Sequence, residues 1–425
     1  MKTFTIYTIG CKVNTFESES YRQELLDHGL LEVGVYDADI VIINTCTVTN
    51  TASFKSRQRI HQVKRTNPNA YLVVVGCYAQ TQSEMLLKKY SIDLLVGAKD
   101  KDKLVSMILS QNKTILDLSF PETFEELSVY AAQTQTRAYL KIQDGCNQYC
   151  SYCIIPFTRG AEHSLAENIV IKQVKTLQSH HKEIVLTGIH TGRYGLDQSS
   201  SLSTLIQRIL NETSIERIRL SSIEINEVSD ELIELIKNNQ RLAHHLHISL
   251  QSADNGILSD MNRPYTFEQY LSRIEQIRAT ILNISISTDI IAGFPSETDE
   301  QFNHSFINIK KCHFSFLHVF PYSRREMTQA ALLKNQVSDE VKKQRVAILT
   351  QYSKESILSV FSHLVNQTLR VLVENEVEKG YFGYSSEYYP VLIQTDKSLN
   401  HAIINCIVIG YNDERVIAVL TNETE

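Results

Sequence analysis

The sequence predicts an α/β protein in three parts: an open parallel sheet with helices over residues 1–120, a partial (β/α)6 barrel over 137–360, and a small all-β barrel over 361–425. Three observations carry that prediction. Short β-branched apolar runs alternate with helical patterns as far as residue 118, the same alternation returns between 138 and 325, and after 365 only short strands separated by turn residues remain.

The first part opens with FTIYTIG, followed by ESESYRQELLDHG, DIVIINT, a polar helical stretch, AYLVVVG and EMLLKKY. Buried β-branched strands joined by helices imply a parallel sheet with right-handed crossovers. The stretch FPETFEELSVYAAQTQT has acidic and polar residues, one proline and no apolar period, and reads as a linker over 121–136. Strands at AYLKIQ, EIVLTG, RIRLSS, HLHISL, ISISTDIIAG and FSFLHVF come next, with helical stretches after each of the first five. A complete eightfold barrel takes about 250 residues, so this shorter stretch predicts a partial one. A long polar helix containing DEVKKQRVAILTQYSKESILSVF leads into LRVLVEN, YYPVLIQT, AIINCIVIG and RVIAVL, the strands of the appended barrel.

Composition narrows the class. A chain of 425 residues exceeds what one core usually covers, so two or three domains are expected. With 21% charged and 43% hydrophobic residues and no low-complexity tract, disordered and fibrous classes are excluded. The start MKTFTIYTIGCKVN lacks the apolar run of a signal peptide, and stretches such as YLVVVGC fall far short of the roughly 20 residues that span a bilayer. No membrane partner is expected, and the expected location is cytoplasmic. The net charge of -6 argues against a chain that is basic throughout but leaves room for a local basic face. In a reducing compartment the eight cysteines stay thiols unless they bind metal or perform redox chemistry.

Cys146, Cys150 and Cys153 lie in DGCNQYCSYC, directly after the first strand of the second part, with three and then two residues between them. Three thiolates on one tight loop can hold three corners of a four-iron cluster, leaving the fourth iron open to an outside ligand. The competing reading is zinc, which in structural sites takes four protein ligands, and no fourth cysteine lies nearby. Cys11, Cys46 and Cys77 each stand at or just beyond the carboxyl end of a predicted strand, in TIGC, INTC and VVGC. In an open parallel sheet those ends share one ligand-binding edge, so the three can converge. Taken singly, each reads better as a small buried hydrophobe; three at equivalent strand ends argue against coincidence. Cys312 and Cys406, beside or within apolar strands, read as packing residues.

With Tyr152 just before its last cysteine, the DGCNQYCSYC loop resembles the radical S-adenosylmethionine superfamily. That resemblance implies that the open iron chelates the amino and carboxylate groups of S-adenosylmethionine, and that the reduced cluster breaks a carbon–sulfur bond to give a deoxyadenosyl radical. Cys146, Cys150 and Cys153 would then be catalytic as well as metal-binding. The pairing of two triads, together with GCKVNTFESE, INTCTVTNTASFKSRQ, GCYAQ, HISLQSADNGILSDMNRPYT, DIIAGFPSET and HVFPYSRR, extends the resemblance to the radical SAM methylthiotransferase family over nearly the whole chain. It implies a second [4Fe-4S] cluster on Cys11, Cys46 and Cys77 that carries or donates the inserted sulfur, and a carboxyl-terminal RNA-binding barrel of the TRAM type. GCKVN and TCTVT with KSRQ are most similar to the branch that methylthiolates C2 of N6-threonylcarbamoyladenosine beside the anticodon. The branches acting on isopentenyladenosine and on a ribosomal-protein aspartate compete with it. Implied partners are the transfer RNA anticodon loop, S-adenosylmethionine as radical source and methyl donor, and a low-potential electron donor.

Gly293, Phe294 and Pro295 follow a strand and precede a helix, a place where backbone can approach a ligand closely. By resemblance they line the S-adenosylmethionine pocket with Tyr152, Gln251, Thr187 and Gly188. Lys55, Arg57, Arg59, Lys64 and Arg65 form a stretch with no acidic residue, either a solvated helix face or a phosphate contact. After Thr158, Arg159 and Gly160 the family usually shows Arg-Ser-Arg, whereas this chain has His163, Ser164 and Leu165; likewise Ala253 replaces the glycine of a Pro-Leu-Gln-Ser-Gly element that here begins with Ser249. The tail from 361 carries four basic and nine acidic residues, a net of minus 5, so its Tyr381, Phe382, Tyr384, Tyr388 and Tyr389 are better suited to stacking on bases, or to packing, than its charge is to holding phosphate. Two rival readings are a radical enzyme whose amino-terminal sheet binds cobalamin and a non-catalytic RNA-binding protein that keeps an Fe–S cluster as scaffold.

Overall fold

A computed structural model describes residues 1–111, 118–130, 135–399 and 401–421. Residues 131–134 of the expected linker and the last four residues of the tail lie outside the described residues.

Five parallel strands build the first sheet in the order β2-β1-β3-β4-β5: β1 (Thr3–Thr8), β2 (Leu31–Glu32), β3 (Ile40–Thr45), β4 (Tyr71–Gly76) and β5 (Leu94–Val96). Side chains alternate between its faces, and both faces are covered, which is why these strands read as continuous apolar runs. Val41, Ile43, Leu72 and Val74 form one core. Ile40, Ile42, Val73 and Val75 belong to another, which continues through Phe16 and Leu25 of α1 (Lys12–Asp27) into the barrel strands. The sheet is therefore packed against the barrel by one continuous apolar core, with α1 between them.

The six strands expected in the barrel are present in order. They form two three-stranded parallel sheets: β6 (Ala138–Lys141), β9 (Glu183–Thr187) and β10 (Arg217–Leu220), then β11 (His245–His247), β12 (Ser285–Ala292) and β13 (Phe316–Pro321). Isolated bridges from Ile218 to Leu242 and from Ile223 to Ile248 join β10 to the β11 region. A short antiparallel pair, β7 (Gln143–Asp144) with β8 (His163–Ser164), brackets the cysteine loop.

Helix Asp339–Leu364 leads to a closed barrel of β14 (Thr368–Val377), β15 (Gly380–Ser385), β16 (Pro390–Ile393), β17 (Ile403–Tyr411) and β18 (Val416–Leu420). Its second strand, in the glycine-and-aromatic stretch YFGYS, is one that the apolar-run reading passes over. Phe361 of the helix and Tyr389 plug the barrel core with ring centroids 6.2 Å apart.

Residues 120–130 are not loose. Leu127 is buried in the main core, Phe124 packs against it beneath Lys141, and the Glu125 carboxylate accepts the Asp100 and Lys101 amides at 2.6 and 3.1 Å. A run without periodicity is held here by a few anchors, which no period can reveal. No helix among the described residues is long and apolar enough to cross a membrane.

Candidate active site

Two glycines explain how the first triad assembles. Gly10 (φ +139°) and Gly76 (φ +101°) each turn the chain off a strand end, where a Cβ would come 2.8 Å from Asn14 Cγ or 2.7 Å from the Thr45 carbonyl oxygen. The turns put Cys11 at the amino-terminal cap of α1 and Cys77 at the start of helix Cys77–Thr81, while Cys46 directly follows β3. Because β1, β3 and β4 are adjacent, all three thiols share one sheet edge. Asn14 accepts from Cys11 Sγ at 3.3 Å and donates to Asn44 Oδ1 at 2.9 Å, tying α1 to that edge.

The second triad sits on the loop after β7. Its Cys146 and Cys153 amides donate to the carbonyls of Gly160 and Cys150 at 3.1 and 2.9 Å. Donors converge on the sulfurs: the Gln148 amide lies 3.4 Å from Cys146 Sγ, and Arg263 Nη1 lies 3.5 Å from Cys150 Sγ. His190 Nδ1 stands 3.3 Å from Cys146 Sγ and its ring pairs with Glu227 at 2.6 Å.

Members of both triads line one cavity of about 980 Å³. Cys11 and Cys46 line it from the sheet, Cys153, Tyr152 and Gln251 from the barrel, and Lys55 and Arg59 from α2 (Asn50–Thr66).

Comparison with known proteins follows the same division. The model of the Uncharacterized protein family UPF0004 matches residues 3–97, and that of the Radical SAM superfamily matches residues 140–306. The threonylcarbamoyladenosine tRNA methylthiotransferase MtaB of Bacillus subtilis is 36% identical over 100% of this chain and 98% of its own length. The chain belongs to the radical SAM methylthiotransferase family. A tRNA-2-methylthio-N(6)-dimethylallyladenosine synthase of Endomicrobium trichonymphae is 33% identical over 89% of this chain and 90% of its own length. Among solved structures, the radical S-adenosylmethionine methyltransferase TsrM of Kitasatospora setae shares the fold, with a TM-score of 0.59 at 13% identity over 78% of this chain and 77% of that one.

As a member of this family the protein is an enzyme that uses an iron–sulfur cluster and S-adenosylmethionine. Both triads fit such chemistry. Burial pushes the Cys46 and Cys153 thiols up to about 12, and the neighbouring thiols of each triad add to the rise. Without iron these two groups hold their protons, and a bound cation would favour their thiolates. Each triad also has a buried guanidinium beside it: Arg159 draws the Cys11 thiol the other way, and Arg263 does the same for Cys150. Among the described residues no three cysteine, histidine or acidic side chains close on one ion position, so each triad presents separate thiols.

Arg159 belongs to a network that sequence reading missed. Its Nη1 lies 3.0 Å from both Glu17 Oε1 and Asp144 Oδ2, Lys101 Nζ lies 3.0 Å from Glu17 Oε1, and Lys141 Nζ lies 3.1 Å from Asp144 Oδ2. Burial alone would raise the Glu17 carboxyl; Arg159, then Lys101 and Lys141, overcome it and hold the group near 2. These five residues come from α1, the end of the sheet, β6 and the cysteine loop, so the network fastens one triad to the other. In sequence Arg159 was visible only as a landmark, Thr-Arg-Gly, without a partner. Arg325 of HVFPYSRR is likewise buried beside Cys46, held by Ser53 and Ser323 at 3.1 and 2.7 Å.

The other expected contacts divide. Thr187, Gly188, Gly293, Phe294 and Pro295 lie outside the cavity wall. Phe294 shares an apolar cluster with Tyr152, Gly188 packs against Gln143, and the Gly293 amide donates to Glu297, which Arg345 pairs at 2.6 Å. On α2, Lys55 and Arg59 face the cavity, Arg57 donates to the Tyr78 hydroxyl at 3.0 Å, and Lys64 and Arg65 sit in the last turn away from it. Tyr384 and Tyr388 stack on each other at 4.9 Å and carry Arg137 over their rings, with Arg219 4.6 Å over Tyr388, so they join the two barrels instead of facing outward. At the family departures, His163 Nε2 lies 3.2 Å from the Pro121 carbonyl, Leu165 is buried, and the Ala253 amide donates to Ser305. His163 and Leu165 are thus packed against their neighbours.

Proposed function

We propose that this chain attaches a methylthio group to C2 of N6-threonylcarbamoyladenosine in the anticodon loop of transfer RNA. Cys146, Cys150 and Cys153 hold one [4Fe-4S] cluster with S-adenosylmethionine, and Cys11, Cys46 and Cys77 hold another. The observation that supports this reading most is that a single cavity is lined by Cys11 and Cys46 of one triad and Cys153 of the other. The named relative from Bacillus subtilis, matched end to end, supports the substrate.

Bound there, the clusters and S-adenosylmethionine supply the radical, the sulfur and the methyl group. The chain does the rest. The Gln148 amide and Arg263 guanidinium orient and tune sulfurs of the radical loop, and Arg159 does so on the other side. Val48, Phe320 and Tyr322 give the cavity apolar walls that keep water from a reactive centre. Lys55 and Arg59 take backbone phosphates at the mouth while the target base leaves its stack. A low-potential donor supplies electrons, in the cytoplasm, and the parts 1–120, 137–360 and 361–425 are the domains, with 121–136 connecting the first two.

Anaerobic reconstitution tests the assignment. About eight irons per chain, cleavage of S-adenosylmethionine and a methylthio product on a threonylcarbamoyladenosine stem-loop are expected. About four irons with no product, or a cobalamin spectrum, overturns it; product only on an isopentenyladenosine stem-loop overturns the substrate.

A further inference from the structure

A base that leaves its stack leaves a gap behind it. When the target adenosine enters the cavity, its neighbours in the loop lose a stacking partner, and a substitute surface at the mouth recovers part of that cost. The cavity wall carries one side-chain pair suited to this. Tyr7, near the carboxyl end of β1, packs half-buried against the sheet core, and the Arg59 guanidinium carbon stands 4.1 Å from its ring centroid. Arg59 Nη1 also donates to Gln62 Oε1 at 3.1 Å, so the guanidinium is held from two directions.

Arg59 and Gln62 both line the cavity, with Thr8 and Ile9 beside them, so the side of the guanidinium away from Tyr7 is turned to that space. No carboxylate competes for it: α2 contains no acidic residue, and among the described residues Gln62 is the one hydrogen-bond partner of Arg59. Arg57, two residues earlier, is occupied differently, with Nη1 donating to the Tyr78 hydroxyl at 3.0 Å. A guanidinium is planar and weakly hydrated. With one face on an aromatic ring, it can take a nucleobase on the other while its edge N–H groups remain free for a phosphate.

We propose that Arg59, carried on Tyr7, is a stacking platform for a nucleobase next to the modified adenosine in the anticodon loop. Its edge meets a backbone phosphate and its face covers the base that the target has left. The inference rests on the transfer RNA substrate proposed above. Lysine at this position would keep the charge and lose the plane.

The test uses reconstituted enzyme and threonylcarbamoyladenosine stem-loops that are intact, or abasic at the 5′ or the 3′ neighbour of the target. Affinity is read by fluorescence anisotropy over a range of salt concentrations. In wild type one of the two abasic sites should cost about 5-fold or more, the low end of what one base stack carries. In Arg59→Lys that penalty should fall below about twofold while the slope of log affinity against log salt stays at the wild-type value. Tyr7→Leu removes the ring that holds the guanidinium and should lower the penalty in the same way, whereas Arg57→Lys should retain it in full. Wild type indifferent to both abasic sites, or a full penalty in Arg59→Lys or Tyr7→Leu, overturns the platform. An isopentenyladenosine stem-loop series run in parallel separates the two claims. Product there alone overturns the assigned modified base, absence of coupling in both series overturns the platform, and binding to neither series overturns both.

Discussion

Replacing Glu17 with glutamine strips the buried network of the carboxylate on which it centres. The wild-type network sets Arg159, Lys101 and Lys141 against Glu17 and Asp144; the variant sets the same three cations against Asp144 alone. Glu17 is fully buried and Lys101 nearly so, hence neither solvent nor a moving side chain can stand in. The fall of the Glu17 carboxyl from 4.5 to about 2 corresponds to about 3 kcal/mol, in line with the roughly 3–5 kcal/mol lost when a buried pair is broken. At about 2.1 cal/mol/K per residue, a cooperative chain of this length has an unfolding entropy near 0.9 kcal/mol/K, so the melting temperature should drop by about 3–5 °C at neutral pH. The pH dependence has a definite sign. A depressed carboxyl stabilises the fold above its unfolded value and loses that contribution as pH falls from 4.5 toward about 2, so the gap between wild type and Glu17→Gln should narrow on acidification. Melting curves of the metal-free chain from pH 7 to about 3, with the reconstituted protein at neutral pH, measure both effects. A drop of less than about 1 °C, or a gap that widens in acid, would refute the reasoning.

Further expectations concern the two triads and the cavity mouth. Cys150→Ala should abolish cleavage of S-adenosylmethionine, read as deoxyadenosine by chromatography, whereas Cys46→Ala should retain cleavage and lose the methylthio product; the reverse pattern would exchange their roles. Lys55→Ala with Arg59→Ala should weaken transfer RNA binding by roughly tenfold and reduce the slope of log affinity against log salt by about 2, while Lys64→Ala with Arg65→Ala should leave the slope nearly unchanged. Glu183→Gln should strand Arg217 and Arg219 inside the seam between the barrels and cost about 3–5 kcal/mol, seen as faster proteolysis near residue 365.

Much of the site was readable in the sequence because it is written in short, local units. Each cysteine of the first triad follows its own strand, and two of them follow a glycine whose backbone only glycine adopts at low cost, so strand prediction placed all three on one edge. The radical loop needs eight consecutive residues. What escaped depends on pairing across long separations: Glu17 with Arg159, and Glu183 with Arg217 and Arg219. Charged residues on a strand such as RIRL look like a solvated face until the lumen and the docked small barrel are present. The same applies to Tyr384 and Tyr388, aromatic residues of an acidic tail whose partners, Arg137 and Arg219, lie more than 150 positions away.

The most direct measurement compares nucleosides of bulk transfer RNA, by mass spectrometry, from cells with and without this gene. Loss of 2-methylthio-N6-threonylcarbamoyladenosine with a matching gain of N6-threonylcarbamoyladenosine is the predicted result. Unchanged levels of both, or loss confined to the isopentenyl derivative, would contradict the proposed substrate.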